Sequence, residues 1–186
     1  MPTALVAIAD GSEDIESVTV IDVLRRADVD VTVASCMPGR RQIEASRGTR
    51  IEADALIDDC RDQFFDAVVL PGGMPGAEHL GRCDALMDMA REQLDAGRLL
   101  GAICAAPAVA LEPSGLLARR RMTCFPSFAE RVETGTWLNE PVVRDGALIT
   151  SQGPGTAIAF ALALVGQLVS PESAERIGQQ MLAPAA

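Results

Sequence analysis

Apolar and polar positions change over in blocks along the chain. "TALVAIA" (3–9) is a short apolar run that ends at Asp10-Gly11, and it predicts a buried strand. "EDIESVTVIDVLRRA" (13–27) carries apolar residues at 15, 18, 21 and 24, the spacing of an amphipathic helix. "DVTVAS" (30–35) predicts a second strand, and "FDAVVLPGG" (65–73) a third, stopped by Pro-Gly-Gly. "CDALMDMAREQLDAG" (83–97) predicts a helix closed by a glycine. "LLGAIC" (99–104) predicts another buried strand, and "PVVRDGALIT" a hairpin with Asp-Gly at its turn. Two helices follow, near 155–169 and 171–182.

Strand–helix alternation of this kind predicts an α/β fold with a mostly parallel sheet and helices on both faces. No linker, repeat or low-complexity segment interrupts it, so residues 1–186 are expected to form one domain. Open parallel sheets bind ligands outside the carboxyl ends of their strands. Those ends are "ADGSEDIES", "PGGMPG", "CAAP" after the 99–103 strand, "CFPS" (124–127) and "SQGPGT" (151–156). The five segments should crowd one rim and bring Cys104 next to an acid from residues 13–16.

Cys104 stands where a buried strand turns into a segment of small residues. Ala105 and Ala106 allow close packing, and Pro107 suits the first turn of a helix. Two readings are open: an inert buried thiol, or a nucleophile on a strained corner whose thiolate is favoured by a helix N-terminus. Glu13, Asp14 and Glu16 complement a helix start, with Ser12 as the expected N-cap. Glu16 also lies beside the apolar stripe, where burial would keep it protonated and able to donate to sulfur. Gly72 and Gly73 permit a backbone amide cradle together with the Ala105 amide.

His79, the only histidine, is expected on an exposed helix face, away from Cys104. That disfavours peptide or amide hydrolysis, which needs a base to accept and return protons. Cys36, Cys60 and Cys83 read as structural or incidental surface thiols, and Cys124 as a conceivable resolving partner for Cys104.

Composition narrows the classes. Hydrophobic residues make up 48% and charged residues 23%, a globular balance, and aromatics only 3%, so the core must be aliphatic. A formal net charge of −10 argues against nucleic acid or an anionic membrane surface as partner. The longest apolar stretch, "TAIAFALALVGQLV", falls short of the about 20 residues of a span. The five cysteines show no zinc or CxxC spacing, and "MPTALVAIADG" does not read as a signal peptide. Free thiols in a reducing cytoplasm are expected, with no metal.

"GSEDIES", "VVLPGG", "GAICAAP", "TCFPS" and "LITSQGPGTAIAFALALV" together resemble the ThiJ/PfpI superfamily, in its YajL-like branch, over essentially the whole chain. The resemblance implies a flavodoxin-like three-layer sandwich, a homodimer and no cofactor. It places the reactive cysteine on Cys104 and its glutamate partner on Glu16, with Glu13 at the mouth. Gly72 and Gly73 would supply the amide pocket, with Arg47 and Pro154 close by. The animal branch carries a histidine where this chain has Phe125, so a Cys–His pair is absent. The implied activity is that of a glyoxalase or protein deglycase acting on small reactive carbonyls or glycated proteins. The alternative is a redox-regulated chaperone or stress sensor, bound to misfolded proteins, whose cysteine oxidises to a sulfinate. The sequence holds no GxGxxG or Walker loop to favour a nucleotide binder.

Overall fold

The computed structural model describes residues 1–184. Its elements run β1 (Thr3–Ile8), α1 (Asp14–Arg26), β2 (Asp30–Ser35), β3 (Gln42–Glu44), β4 (Arg50–Glu52), β5 (Ala55–Leu56) and β6 (Ala67–Leu70). Then come α2 (Gly76–Gly81), α3 (Asp84–Asp95), β7 (Leu99–Ile103), β8 (Arg121–Met122) and β9 (Thr136–Trp137). β10 (Val142–Asp145), β11 (Leu148–Ser151), α4 (Ala157–Leu168) and α5 (Pro171–Gln180) complete it. Seven strands form one sheet in the order β10-β11-β7-β6-β1-β2-β5, parallel except for the β10–β11 hairpin. This is the flavodoxin-like α/β sandwich.

β1, β6 and β7 are buried along nearly their whole length, which explains their unbroken apolar runs. α4 packs against α1 and lays Phe160 and Leu164 over Gly101 of β7, where even a Cβ would come within 2.9 Å of Leu164. α2 and α3 belong to the other layer, α3 packing on β6 and β7. The chain leaves β1 for β2 on one side and for β6 on the other, so the strand order reverses between β1 and β6. A crevice opens at such a switch point.

Three expectations need correction. The buried face of α1 is not the 15/18/21/24 stripe: Glu16, Ser17, Val20, Val23 and Leu24 face inward, while Ile15 and Val18 are exposed. The Gly72 amide at the sheet rim bonds Glu16 on the inward face, and Ile15 and Val18 turn outward. The segment before "CFPS" is not a strand of the main sheet; β8 has two residues and pairs only with β9. Cys104 is followed by a π-helical turn, Pro107–Leu111, rather than a long α-helix. Pro113 has no N–H to continue an α-helical ladder there.

Candidate active site

The strand end places Cys104, and its backbone holds it there. Its φ is +64°, the left-handed region that non-glycine residues avoid, as expected for a strained corner. Its N–H donates to Ser151 O at 2.9 Å, and its carbonyl accepts from the Phe125 N–H at 2.9 Å. The ends of β11 and of the 124–127 segment thus fix the corner from two sides, which is how such strain persists. The side chain is 8% exposed. Gly72 passes directly against it, since a Cβ on Gly72 would stand 2.5 Å from Cys104 Cβ and 2.8 Å from Ile103 O. Only glycine allows that approach.

Glu16 comes to the same point from α1 and is fully buried. Its Oε2 accepts the Gly72 N–H at 2.7 Å. Its Oε1 is buried without a nitrogen or oxygen partner, and the carboxyl faces the Cys104 thiol. Burial raises the carboxyl from 4.5 to about 7, against the pull of the Gly72 amide and the Cys104 thiol, and the nearby Glu13 charge adds to the rise. The N-cap of α1 is Glu13 and not Ser12: Glu13 Oε2 accepts the Glu16 N–H at 2.8 Å. The Ser12 hydroxyl instead accepts from Ala9 N–H at 3.0 Å and closes the turn out of β1. Glu13 is further tied to the rim by its own N–H, which donates to Gly72 O at 2.9 Å.

The thiol of Cys104 is pushed up to about 12 by burial and by the charge of Glu16. The amides of Gly73 and Ala105 oppose the rise. A thiolate set up by a helix dipole alone is therefore not what the site contains. The single π-turn that follows offers little dipole, and the sulfur is out of water. With Glu16 ionised beside it, the sulfur is held as the thiol. The expected cradle of three amides is also divided: Gly73 and Ala105 serve the sulfur, while Gly72 is committed to Glu16.

Phe125 and Pro154 line a cavity of about 170 Å³ with Gly153 and Thr156, beside the corner that Phe125 N–H anchors. Arg47 sits in the β3–β4 turn with its side chain exposed, and its N–H donates to Asp14 at 2.8 Å. Asp14 also accepts from the Ser46 hydroxyl and from Thr49 N–H, so it holds that turn to the start of α1. Sequence reasoning assigned Asp14 only a dipole role; the Ser-Arg-Gly-Thr turn was the available signal. A second, larger cavity, about 500 Å³, opens between Asp10, Arg40, Ser46 and Met74. His79 lies half-buried on α2, where its charge acts on Asp10. Cys124 is fully buried beside Trp137, its thiol raised to about 11 by burial.

Residues 2–167 match the DJ-1/PfpI family. The Arabidopsis thaliana protein named "Protein DJ-1 homolog B" is 40% identical over 181 residues, 97% of this chain and 41% of that protein. The chain thus spans less than half the length of that relative. The Caenorhabditis elegans "Glutathione-independent glyoxalase DJR-1.2" is 35% identical over 88% of this chain and 86% of its own. The solved structure of "Toxoplasma gondii DJ-1, oxidized" superposes with a TM-score of 0.96 at 37% identity and covers 100% of both chains.

The buried carboxyl has a direct consequence for stability. A folded pKa raised from 4.5 to about 7 means that Glu16 supports the fold when protonated. That support is fully present below 4.5 and is lost as the pH rises through 7. Glu16→Gln keeps an oxygen for the Gly72 amide but cannot ionise. Urea unfolding should show it gaining up to about 3 kcal/mol on wild type between those limits. A stability difference that stays flat with pH would contradict the raised carboxyl.

Proposed function

The chain belongs to the DJ-1/PfpI family, and from that premise we propose that it is a cofactor-free glyoxalase or deglycase that uses Cys104 as nucleophile and Glu16 as acid and base. The observation that carries this reading is the contact of Cys104 with a buried Glu16 whose carboxyl sits near neutrality. A group with its pKa near the working pH both gives and takes a proton efficiently. The relative named as a glyoxalase supports the reaction class.

On methylglyoxal the steps balance without a cofactor. The Cys104 sulfur, its proton passed to Glu16, attacks the aldehyde carbon. The carbonyl π-bond breaks, and the oxygen takes the proton from Glu16 to give a hemithioacetal. The Gly73 and Ala105 amides, which face the sulfur, are the donors available to the developing oxyanion. Glu16, now a carboxylate, removes the proton from the former aldehyde carbon. The resulting enediol is reprotonated on the neighbouring carbon as a lactoyl thioester. Water then adds to the thioester carbonyl, the C–S bond breaks, and lactate leaves with Cys104 restored. The net change is the addition of one water. In a protein adduct the same thiolate attack would displace the amine or thiol that the glyoxal had modified. Phe125 in place of a histidine leaves every proton transfer to Glu16 and water.

A second reading rests on Glu16 Oε1, buried and without a nitrogen or oxygen partner beside the sulfur. A protonated Oε1 would donate to a sulfinate oxygen on Cys104, as a redox-sensing role requires.

The two readings separate experimentally. Wild type should consume methylglyoxal and form lactate in equal amounts, and Cys104→Ala should lose that turnover; persisting turnover in the variant would overturn the enzymatic reading. Under peroxide, wild-type Cys104 should gain two oxygens and stop there, while Glu16→Leu should pass on to the sulfonate or stay unoxidised. If Glu16→Leu gives the same stable sulfinate, the carboxyl does not hold it.

A further inference from the structure

The cavity of about 170 Å³ beside the reactive corner is walled by two segments that hang from the Cys104 backbone. One wall is Phe125 and Pro126, brought there by the Phe125 N–H on Cys104 O at 2.9 Å. The other is the 152–156 loop, which follows Ser151, whose carbonyl accepts the Cys104 N–H at 2.9 Å. Corner and walls are therefore one hydrogen-bonded unit.

The polar groups of these walls are spent on the protein itself. Thr156 Oγ1 accepts the Gly153 N–H at 3.1 Å and lies 2.6 Å from Ser151 Oγ. The Gly153 carbonyl accepts the Thr156 N–H at 2.9 Å, and the Gln152 side-chain amide donates to Asn139 Oδ1 at 2.9 Å. What remains to meet a ligand is the Phe125 ring and the rings of Pro126 and Pro154. Phe125 is left 40% exposed, yet its ring is held in place. It makes an edge contact with Phe128, centroids 6.4 Å apart, and lies over Gly153, where a Cβ would stand 3.2 Å from Phe125 Cδ2. A wall fixed in advance loses little freedom when a ligand binds.

We propose that this cavity receives the substituent of the carbonyl substrate and fits a planar aromatic ring, so that aryl 2-oxoaldehydes are preferred to methylglyoxal. The proposal rests on the reading of Cys104 as the nucleophile.

The size of the cavity selects the ring. An apolar cavity of about 150 Å³ holds one benzene. A methyl group would leave most of the space empty, and its walls would lack contacts. A phenyl group would fill it and gain a ring contact with Phe125. In the hemithioacetal the sulfur carries the former aldehyde carbon, and the next carbon carries the substituent. With phenylglyoxal the steps are those given for methylglyoxal. The proton moves from the former aldehyde carbon to the carbon bearing the ring, water adds to the thioester, the C–S bond breaks and mandelate leaves. One water is again the net addition.

The test reads the cavity without needing turnover. Bromoacetone and phenacyl bromide alkylate a thiol with loss of bromide, and they carry a methyl or a phenyl where the substrate carries its substituent. The rate of each at Cys104, read peptide by peptide, is divided by its rate with glutathione. Wild type should favour phenacyl bromide by about tenfold or more, the scale of apolar pocket contacts. Gly155 lines the cavity and a Cβ there meets nothing within 4 Å, so Gly155→Leu fills the space without a clash. That variant should lose most of the preference. Phe125→Ala, which keeps the backbone N–H and removes one wall, should reduce it. In turnover, both variants should lose kcat/KM for phenylglyoxal relative to methylglyoxal, chiefly through KM. A wild-type preference no greater than that of glutathione, or one that Gly155→Leu leaves unchanged, overturns the subsite even where methylglyoxal is turned over. A preference that Gly155→Leu removes, in a protein that turns over neither aldehyde, supports the subsite and counts against the enzymatic reading instead.

Discussion

One hydrogen bond joins the two halves of the rim: the Gly72 N–H to Glu16 Oε2, at 2.7 Å and out of water. It spans the switch point between β1 and β6, where the sheet leaves a crevice. An ionisable group is buried there at a cost, and the cost is reduced because one oxygen accepts the Gly72 amide and the carboxyl can stay protonated up to about 7. The surrounding geometry serves that placement. Glu13 caps α1 and grips the Gly72 carbonyl, Ser12 closes the turn before it, and Gly72 lacks the Cβ that would strike Cys104. The strained φ at Cys104 is held by bonds to Ser151 and Phe125, which fix the corner beside the carboxyl.

The chemistry follows from the same constraint. Burial raises both groups, the Glu16 charge raises the thiol further, and the Cys104 thiol in turn eases the ionisation of Glu16. The two ionisations are therefore coupled, and the proposed mechanism passes a proton between oxygen and sulfur. Two amides, of Gly73 and Ala105, favour negative charge on the sulfur. With Phe125 at the corner and His79 away on α2, the proton inventory of the site is Glu16, Cys104 and water.

Much of this was legible in the residues. The unbroken apolar runs of β1, β6 and β7 announced buried parallel strands, and the "GAIC" strand end announced a corner thiol. The inward face of α1 was not legible, because Ile15 and Val18 have the same helical spacing as the true core positions and only the distant Gly72 amide selects between them. The tiny strands β3, β4, β8 and β9 lie below the length at which alternation can be read. The raised thiol of Cys104 depends on burial and on the through-space charge of Glu16, neither of which leaves a mark at one position. Family motifs supplied Glu16 as partner, and the geometry supplied the reason: it is the one ionisable side chain acting directly on the sulfur among the described residues.

The most direct test of the coupled pair is the alkylation rate of Cys104 against pH, read peptide by peptide, in wild type and Glu16→Gln. The coupled site predicts that wild-type reactivity rises through a step near 7, when the pair loses its first proton, and then holds level. In Glu16→Gln that step should vanish, leaving one thiol ionisation at a different pH. If both proteins titrate alike, near the ~8.5 of a free thiol, Glu16 does not share a proton with Cys104 and the account of the site fails.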